Sequence, residues 1–385
     1  VTVTGPKGFR AAGVAAGIKS GALDLALVVN DGPEQVAAGV FTRNVVKAAP
    51  VLWSQEVLRH QRLKAVVLNS GGANAATGPE GFQDTHATAE KVAEELGTGA
   101  VDVAVCSTGL IGERLPMPAV LSGVDSAVRA LAATPQAGLA AATAVMTTDT
   151  HPKQTWQEHP AGWSVGGFAK GAGMLAPNLA TMLSVLTTDA VVEADALDAA
   201  LRAAARVTFD RLDVDGGTST NDTVLLLSSG ASGVAPGLDE FTEVLTAACL
   251  DLVRRLRADS EGTTKEVDVI VRGAASEQDA ITVGRTVAED NLVKTALFGS
   301  DPNWGRVAMA VGRSHAEVDP GSLSITLNGV TLFANGTPAA DRSKADLSGR
   351  AVELVIDLGV GSSEATIYTS DLSHAYVEEN SAYSS

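Results

Sequence analysis

The chain has 385 residues, 45% hydrophobic but only 4% aromatic, with a formal net charge of -17. That length suits two domains or one large one, with a core built from Ala, Val and Leu rather than rings. The acidic balance excludes a general affinity for nucleic acid or anionic membrane and leaves small cationic substrates open.

In chain order, Leu23 to Val29 and Ala37 to Thr42 read as strands joined through Asn30-Asp31-Gly32-Pro33, which predicts a hairpin at one end of a sheet. Lys64 to Leu68 is a further apolar run, followed by the small, polar stretch from Asn69 to Gly78, a strand-to-helix connection or a site loop. Gly81 to Leu96 has helical spacing, and Gly97 supplies its stop. Val101 to Cys106 is a buried-strand pattern that opens into Ser107-Thr108-Gly109-Leu110-Ile111-Gly112. Thr-Gly at a strand end is commonly a turn, and it is also a way to aim a hydroxyl and backbone N–H groups at one point, as an oxyanion hole requires. Pro116 to Leu131 and Gln136 to Val145 read as helices, the second ending near Thr147-Thr148-Asp149-Thr150, where threonines suit capping.

Trp163 to Ala169 reads as a strand and leads into Lys170 to Thr187, KGAGMLAPNLATMLSVLT: a glycine-rich approach, a stiffening Pro177, then a β-branched apolar run from Thr181. This is how an ordinary half-buried strand begins. It is also where cleavage of the Ala180–Thr181 bond would leave a threonine whose own α-amine, with a pKa of about 7.7 to 8.0, serves as its base. Gly171-Ala172-Gly173 with Ala176 mimics a dinucleotide-binding glycine pattern, but Pro177 forbids the helix that pattern needs.

Strand character then runs to Val192, and Asp195 is expected to cap a helix over Ala196 to Arg206. Arg211 to Asp222 carries three aspartates without the calcium-loop spacing and reads as a turn bordering a site. Phe241, Leu245, Leu252, Val253 and Leu256 mark an amphipathic helix ending at Asp259-Ser260-Glu261-Gly262. Val267 to Val271, Glu277 to Val287 and Val293 to Phe298 read as strand, helix and strand, a small α/β unit. DPNWGR from Asp301 reads as a turn anchored by Trp304. Asn328-Gly329 between apolar runs predicts a hairpin over Ser324 to Phe333, and Val352 to Asp357 and Ala365 to Thr369 are the last strands. The polar tail would ordinarily be disordered.

Cys106 and Cys249 lie in apolar segments without metal spacing, and the six histidines are scattered, which suits two buried thiols in a reducing cytoplasm. No basic region followed by an apolar core opens the chain, and no apolar run approaches the roughly 18 residues of a spanning helix, so a soluble, cytosolic protein is expected. Val at position 1 fits a trimmed amino terminus or an alternative start codon translated literally.

Taken together, STGLIG (Ser107 to Gly112), MTTDT (Met146 to Thr150), KGAGMLAPNLATML (Lys170 to Leu183), DGGTSTNDT (Asp215 to Thr223), DSEGTTK (Asp259 to Lys265), DPNWGR and the tail ENSAYSS resemble the bacterial ornithine acetyltransferase family, in order from the first third of the chain to its last residue. The resemblance implies an α+β fold: a layered αββα sandwich with an N-terminal-nucleophile-like site, plus a smaller C-terminal α/β domain from about residue 275. It implies self-cleavage between Ala180 and Thr181 into chains 1–180 and 181–385 that share the core. Thr181 would be the nucleophile, Thr108 and Gly109 the oxyanion stabilisers, and Thr147, Lys170, Thr181, Glu261, Asn380 and Ser385 the substrate contacts. The implied reaction is ping-pong transfer of acetyl from N2-acetyl-L-ornithine to L-glutamate, with acetyl-CoA a conceivable second donor. No metal or other cofactor is implied, and two copies of each fragment would assemble. The rival readings are an amidase or aminopeptidase of the same architecture, with water as acceptor, and a non-catalytic binding protein.

Overall fold

The computed structural model describes residues 2–176 and 182–382. They fall into two units: one takes residues up to Asp210 together with Gly217–Leu256, and the other takes Arg211–Gly216 and the residues from Arg257 onward.

In the first unit the chain runs β1 (Phe9–Val14), β2 (Leu25–Asn30), β3 (Val36–Phe41), α1 (Ala49–Val57), β4 (Ala65–Gly72), α2 (Gly78–Leu96), β5 (Val103–Leu110), α3 (Met117–Ala130), α4 (Pro135–Ala144), β6 (Lys153–His159) and β7 (Trp163–Lys170). β8 (Leu183–Thr188), α5 (Ala194–Val207), β9 (Thr223–Ser228) and α6 (Leu238–Ala258) follow. One sheet has the order β1-β2-β4-β5 and the other β3-β9-β8-β7-β6. The β4–β5 and β8–β9 pairs are parallel, the others antiparallel.

Side-chain alternation turns these sheets into layers. Ala26, Val28, Val66, Leu68 and Cys106 of the first sheet pack with Phe168, Val185, Leu225 and Leu227 of the second. Leu25, Leu27, Val67 and Val105, on the opposite face of the first sheet, pack with Val92 of α2 and Val120 and Val124 of α3. On the outer face of the second sheet, α5 packs against β3, and Phe241 of α6 meets the ring of Trp163 at 5.6 Å between centroids. The unit is therefore an α+β, αββα sandwich, each fully buried Leu or Val stabilising it by roughly 1.5–3 kcal/mol. Gly97 ends α2 at φ 66°, as expected for a left-handed cap.

In the second unit, β10 (Glu266–Ala274) is followed by α7 (Glu277–Ala288), α8 (Asn291–Phe298) and α9 (Trp304–Gly312). After them come β11 (Ser324–Leu327), β12 (Val330–Ala334), β13 (Thr337–Pro338), β14 (Ala351–Asp357), β15 (Ser363–Ser370) and α10 (His374–Ala382). The sheet order is β13-β12-β11-β14-β10-β15, with β10 and β14 parallel. Its core joins Val269, Val271, Leu354 and Ile367 to Val283, Val287, Leu297 and Val307 of the helices. The Asn328-Gly329 hairpin forms as expected.

Several expectations need correction. β2 and β3 do not form a hairpin: the turn after Asn30 hands the chain from one sheet to the other, and Asn30 Nδ2 donates to Ser228 O of the second sheet at 3.0 Å. Residues 293–298 are helical, because Asp290 caps the N–H groups of Leu292 and Val293 at 3.0 and 3.1 Å. The strand-helix-strand reading there fails with it, and the parallel partner of β10 is β14. DPNWGR is not a simple turn: Asn303 caps α9, and Trp304 stacks on Phe333. Glu193, not Asp195, occupies the N-cap of α5. Asn69 to Gly72 belong to β4 rather than to a loop.

Candidate active site

Lys170 ends β7 with its side chain inside the first unit, at 1% exposure. A buried ammonium needs partners. Its Nζ donates to Thr147 Oγ1 at 2.9 Å and to Thr108 Oγ1 at 3.1 Å. Three residues singled out from sequence thus meet at one point, drawn from β5, the segment after α4, and β7. Because Thr108 Oγ1 accepts from Lys170, its own hydroxyl proton is left for another acceptor. Beside it, Gly109 has φ 133°, and a Cβ there would lie 2.5 Å from Gly71 C and Gly72 N. Only glycine lets β5 pass β4 this closely.

Beneath Lys170 lies a pair that sequence reading passed over. Lys153 Nζ donates to Asp149 Oδ1 at 2.5 Å, with both side chains at 0% exposure. Asp149 also accepts from the backbone N–H groups of Gly171 at 2.7 Å and Thr147 at 3.1 Å, while Lys153 donates to Gly171 O at 3.2 Å. Burial pushes the Asp149 carboxyl up, but the charges of Lys170 and Lys153 and these hydrogen bonds outweigh it and hold the group at about 2. Asp149 is therefore a fixed anion that anchors the first peptide after β7. Lys19, donating to Met146 O at 2.8 Å, has its amine lowered by burial against the opposing pull of Asp24 and Asp149.

Thr181 and Ala180 lie outside the described residues, but both flanks of 177–181 are held. Upstream is the Asp149–Lys153 grip on Gly171; downstream, Met182 N–H donates to Asp222 Oδ1 at 3.0 Å. Asp222 is fully buried, and burial lifts its carboxyl well above the usual range, against the Met182 and Ser219 hydrogen bonds and the charge of Lys170. Its neighbour Asn221 donates through Nδ2 to Ala73 O at 2.6 Å and Ser107 O at 2.8 Å. Ser107 Oγ in turn donates to Asn69 Oδ1 at 2.6 Å.

In the second unit, Asn380 Nδ2 of α10 donates to Glu261 Oε2 at 2.8 Å, so these two sequence-selected residues are also neighbours. Tyr376 alongside has its hydroxyl pushed up to about 12, by burial first and then by the negative charges of Asp215 and Glu261. Ser385 lies outside the described residues. Among the described residues, no three His, Cys, Asp or Glu side chains form a metal-binding group, and no helix is long and apolar enough to cross a membrane. Cys106 and Cys249 are buried thiols, both raised to about 12 by burial.

The missed residues had a weak signal. Lys153 opens a strand whose first buried positions alternate, so an inward lysine was legible only once β6 was recognised, and β6 was not. Asp149 lies among threonines that by themselves suit helix capping.

The chain matches the ArgJ family over residues 10–385. The arginine biosynthesis bifunctional protein ArgJ of Mycobacterium tuberculosis (strain ATCC 25618 / H37Rv) is 61% identical to it over 389 residues, spanning 100% of this chain and 96% of the relative. That of Streptomyces coelicolor is 58% identical over 386 residues, spanning 100% of both. Among solved structures, the ornithine acetyltransferase complexed with ornithine from Mycobacterium tuberculosis is 65% identical, covers 46% of this chain and 94% of its own, and has a TM-score of 0.45. The arginine biosynthesis bifunctional protein argJ from Bacillus halodurans is 34% identical, with 51% and 97% coverage and a TM-score of 0.49. With a family match over residues 10–385 and end-to-end identities of 58% and 61%, the chain belongs to the ArgJ family.

Proposed function

We propose that the chain is an acyltransferase of arginine biosynthesis that moves acetyl from N2-acetyl-L-ornithine to L-glutamate through an acetyl-threonine, after cutting itself between Ala180 and Thr181. Family membership supports the reaction class. The observation that carries the site is the buried Lys170 ammonium, which joins Thr108 to Thr147 at one end of the segment that holds Thr181.

In the first step the Thr181 hydroxyl attacks the Ala180 carbonyl and the C–N bond breaks, leaving an ester and a free amine. Water hydrolyses the ester to release the Ala180 carboxylate, giving chains 1–180 and 181–385. The freed α-amine then takes the hydroxyl proton as Thr181 attacks the acetyl carbonyl. The bond to ornithine breaks, and its amine leaves with that proton. The glutamate amine attacks the acetyl ester and restores Thr181. Thr108, with its proton directed away from Lys170, and the Gly109 backbone stabilise each tetrahedral oxyanion. Thr147, Lys170, Glu261, Asn380 and Ser385 hold the amino-acid parts, the Glu261 carboxylate suiting the ornithine ammonium. One site serves donor and acceptor because both share an α-amino-acid end. The bifunctional name of the relatives extends the proposal to acetyl-CoA as a second donor. Two copies of each fragment assemble in the cytoplasm.

The test is intact mass under denaturing conditions followed by acetyl-transfer assay. Wild type should give two fragments meeting between Ala180 and Thr181. Thr181→Ala should give one chain whose transfer rate falls at least about 1,000-fold. A normally cut or active variant ends the assignment, and release of free acetate without transfer to glutamate would favour a hydrolase instead.

A further inference from the structure

We propose that Asn221 and Asp222 form a two-residue bridge that sets the register between the strand that follows Thr181 in sequence, opening at Leu183, and the strand bearing Thr108 and Gly109; this rests on the reading of Thr181 as nucleophile. The two strands belong to different sheets, β8 in one and β5 in the other. Stacked sheets lie about 10 Å apart and share no backbone ladder, so nothing in either sheet's own hydrogen bonding fixes the distance across them. Catalysis tolerates little error there, since a displacement of about 1 Å can cost about 100-fold.

The bridge supplies that constraint from consecutive residues just before β9. Asn221 is 5% exposed and reaches the first sheet, where its Nδ2 donates to Ser107 O, the carbonyl immediately preceding Thr108, and to Ala73 O just after β4. Its Oδ1 accepts from Thr220 Oγ1 at 2.6 Å, which orients the amide. Asp222 serves the second sheet. Its Oδ1 accepts from Met182 N–H, the amide of the bond joining Met182 to Thr181, while Thr223 N–H donates to Met182 O at 3.0 Å. Met182 is thereby held on both sides. The backbone around the bridge is itself secured, with Thr42 N–H donating to Asp222 O at 2.9 Å and Thr42 Oγ1 to Ser219 O at 2.6 Å. Neither residue needs to touch substrate; both act through the groups they place. Asp222→Asn gives a probe of placement, because it keeps the side-chain shape and an acceptor for Met182 N–H.

The experiment uses the full chain carrying Asn221→Ala, Asp222→Leu or Asp222→Asn. It reads self-cleavage by intact mass over time, then kcat and KM for acetyl transfer from N-acetylornithine to glutamate. Asn221→Ala and Asp222→Leu should slow cleavage and lower kcat about 100-fold with KM within about twofold, whereas Asp222→Asn should stay within about threefold of wild type. Wild-type kcat in Asn221→Ala overturns the bridge, as does a raised KM with kcat unchanged. So does an Asp222→Asn variant as impaired as Asp222→Leu, since the need would then be for the acid and not the placement. If the Leu variant does not fold, Asn221→Ala and Asp222→Asn decide by the same split. A wild-type chain that stays uncut and transfers no acetyl sinks the reading of Thr181 and the bridge with it, while a working wild type beside unaltered variants sinks the bridge alone.

Discussion

Lys153 in the first unit and Lys294 in the second are both buried, at 1% and 5% exposure, but their surroundings differ in kind. Lys153 has a carboxylate at 2.5 Å, and that carboxylate is held at about 2 against the pull of burial. Lys294 instead donates to neutral oxygens, Ser370 O at 2.5 Å and Thr369 Oγ1 at 3.3 Å. Burial drags its amine down to about 8 in spite of the more distant charges of Asp213, Asp215, Asp371 and Glu289. Asp213 is itself pushed up, by burial and then by the charge of Glu289. The contrast separates two uses of buried charge. Where the ion pair is closed at bonding distance beside Lys170, the Asp149 carboxyl is held down against the pull of burial. Where the nearest partners are neutral oxygens and the charges lie farther off, burial shifts the Lys294 amine down and the Asp213 carboxyl up.

That contrast can be broken most decisively at Lys170. Lys170→Met should lower kcat/KM for acetyl transfer about 100-fold, near 2.7 kcal/mol, and steady-state kinetics on cleaved protein with wild-type values would remove the charge from the site. A smaller effect concerns Asp149. Its folded pKa of about 2 lies below the ordinary 3.8, so its stabilisation is complete above about pH 4 and is lost as pH falls through about 2. Urea unfolding at pH 5 and pH 2 should show the gap between wild type and Asp149→Asn narrowing by on the order of 2 kcal/mol at the lower pH. A constant gap would mean the carboxylate is not held down. The smallest effect is on the alkaline side. Lys294 releases its proton in the native state at about 8, before the unfolded chain does at 10.5, so its contribution to stability rises with pH between those values. Relative to Lys294→Met, wild type should gain about 1 kcal/mol between pH 8 and pH 9 in chemical denaturation. A flat difference would show that the amine is not depressed.

The parts of the candidate site legible in sequence are those singled out by the resemblance of whole motifs, since each string alone reads as a turn, a cap or a solvated charge. Thr108, Thr147 and Lys170, chosen in that way, do meet, and so do Glu261 and Asn380. What escaped was the supporting polar layer, because Asp149, Lys153, Asn221 and Asp222 look locally like cap, strand and turn residues and acquire meaning only from partners far along the chain. Among the elements, uniformly buried runs such as β2 were plain, since covered faces demand continuous apolar residues. The run Asn291–Phe298 misled because Val293 and Thr295 favour a strand locally, while the Asp290 cap and a buried face at Val293, Ala296 and Leu297 favour the helix that forms. The turn after Asn30 misled for another reason: turn chemistry announces a reversal but not whether the chain returns within its sheet or crosses to the next.

Gly109 bears on how such a site can diverge. Its backbone conformation and the closeness of Gly71 and Gly72 admit no side chain, whatever acyl group is being handled. The neighbouring Thr108 is constrained in another way, through the hydroxyl that accepts from Lys170. Adjacent codons therefore carry two different kinds of restriction, one set by the backbone, which no side chain satisfies, and one set by a hydroxyl, which serine could also supply.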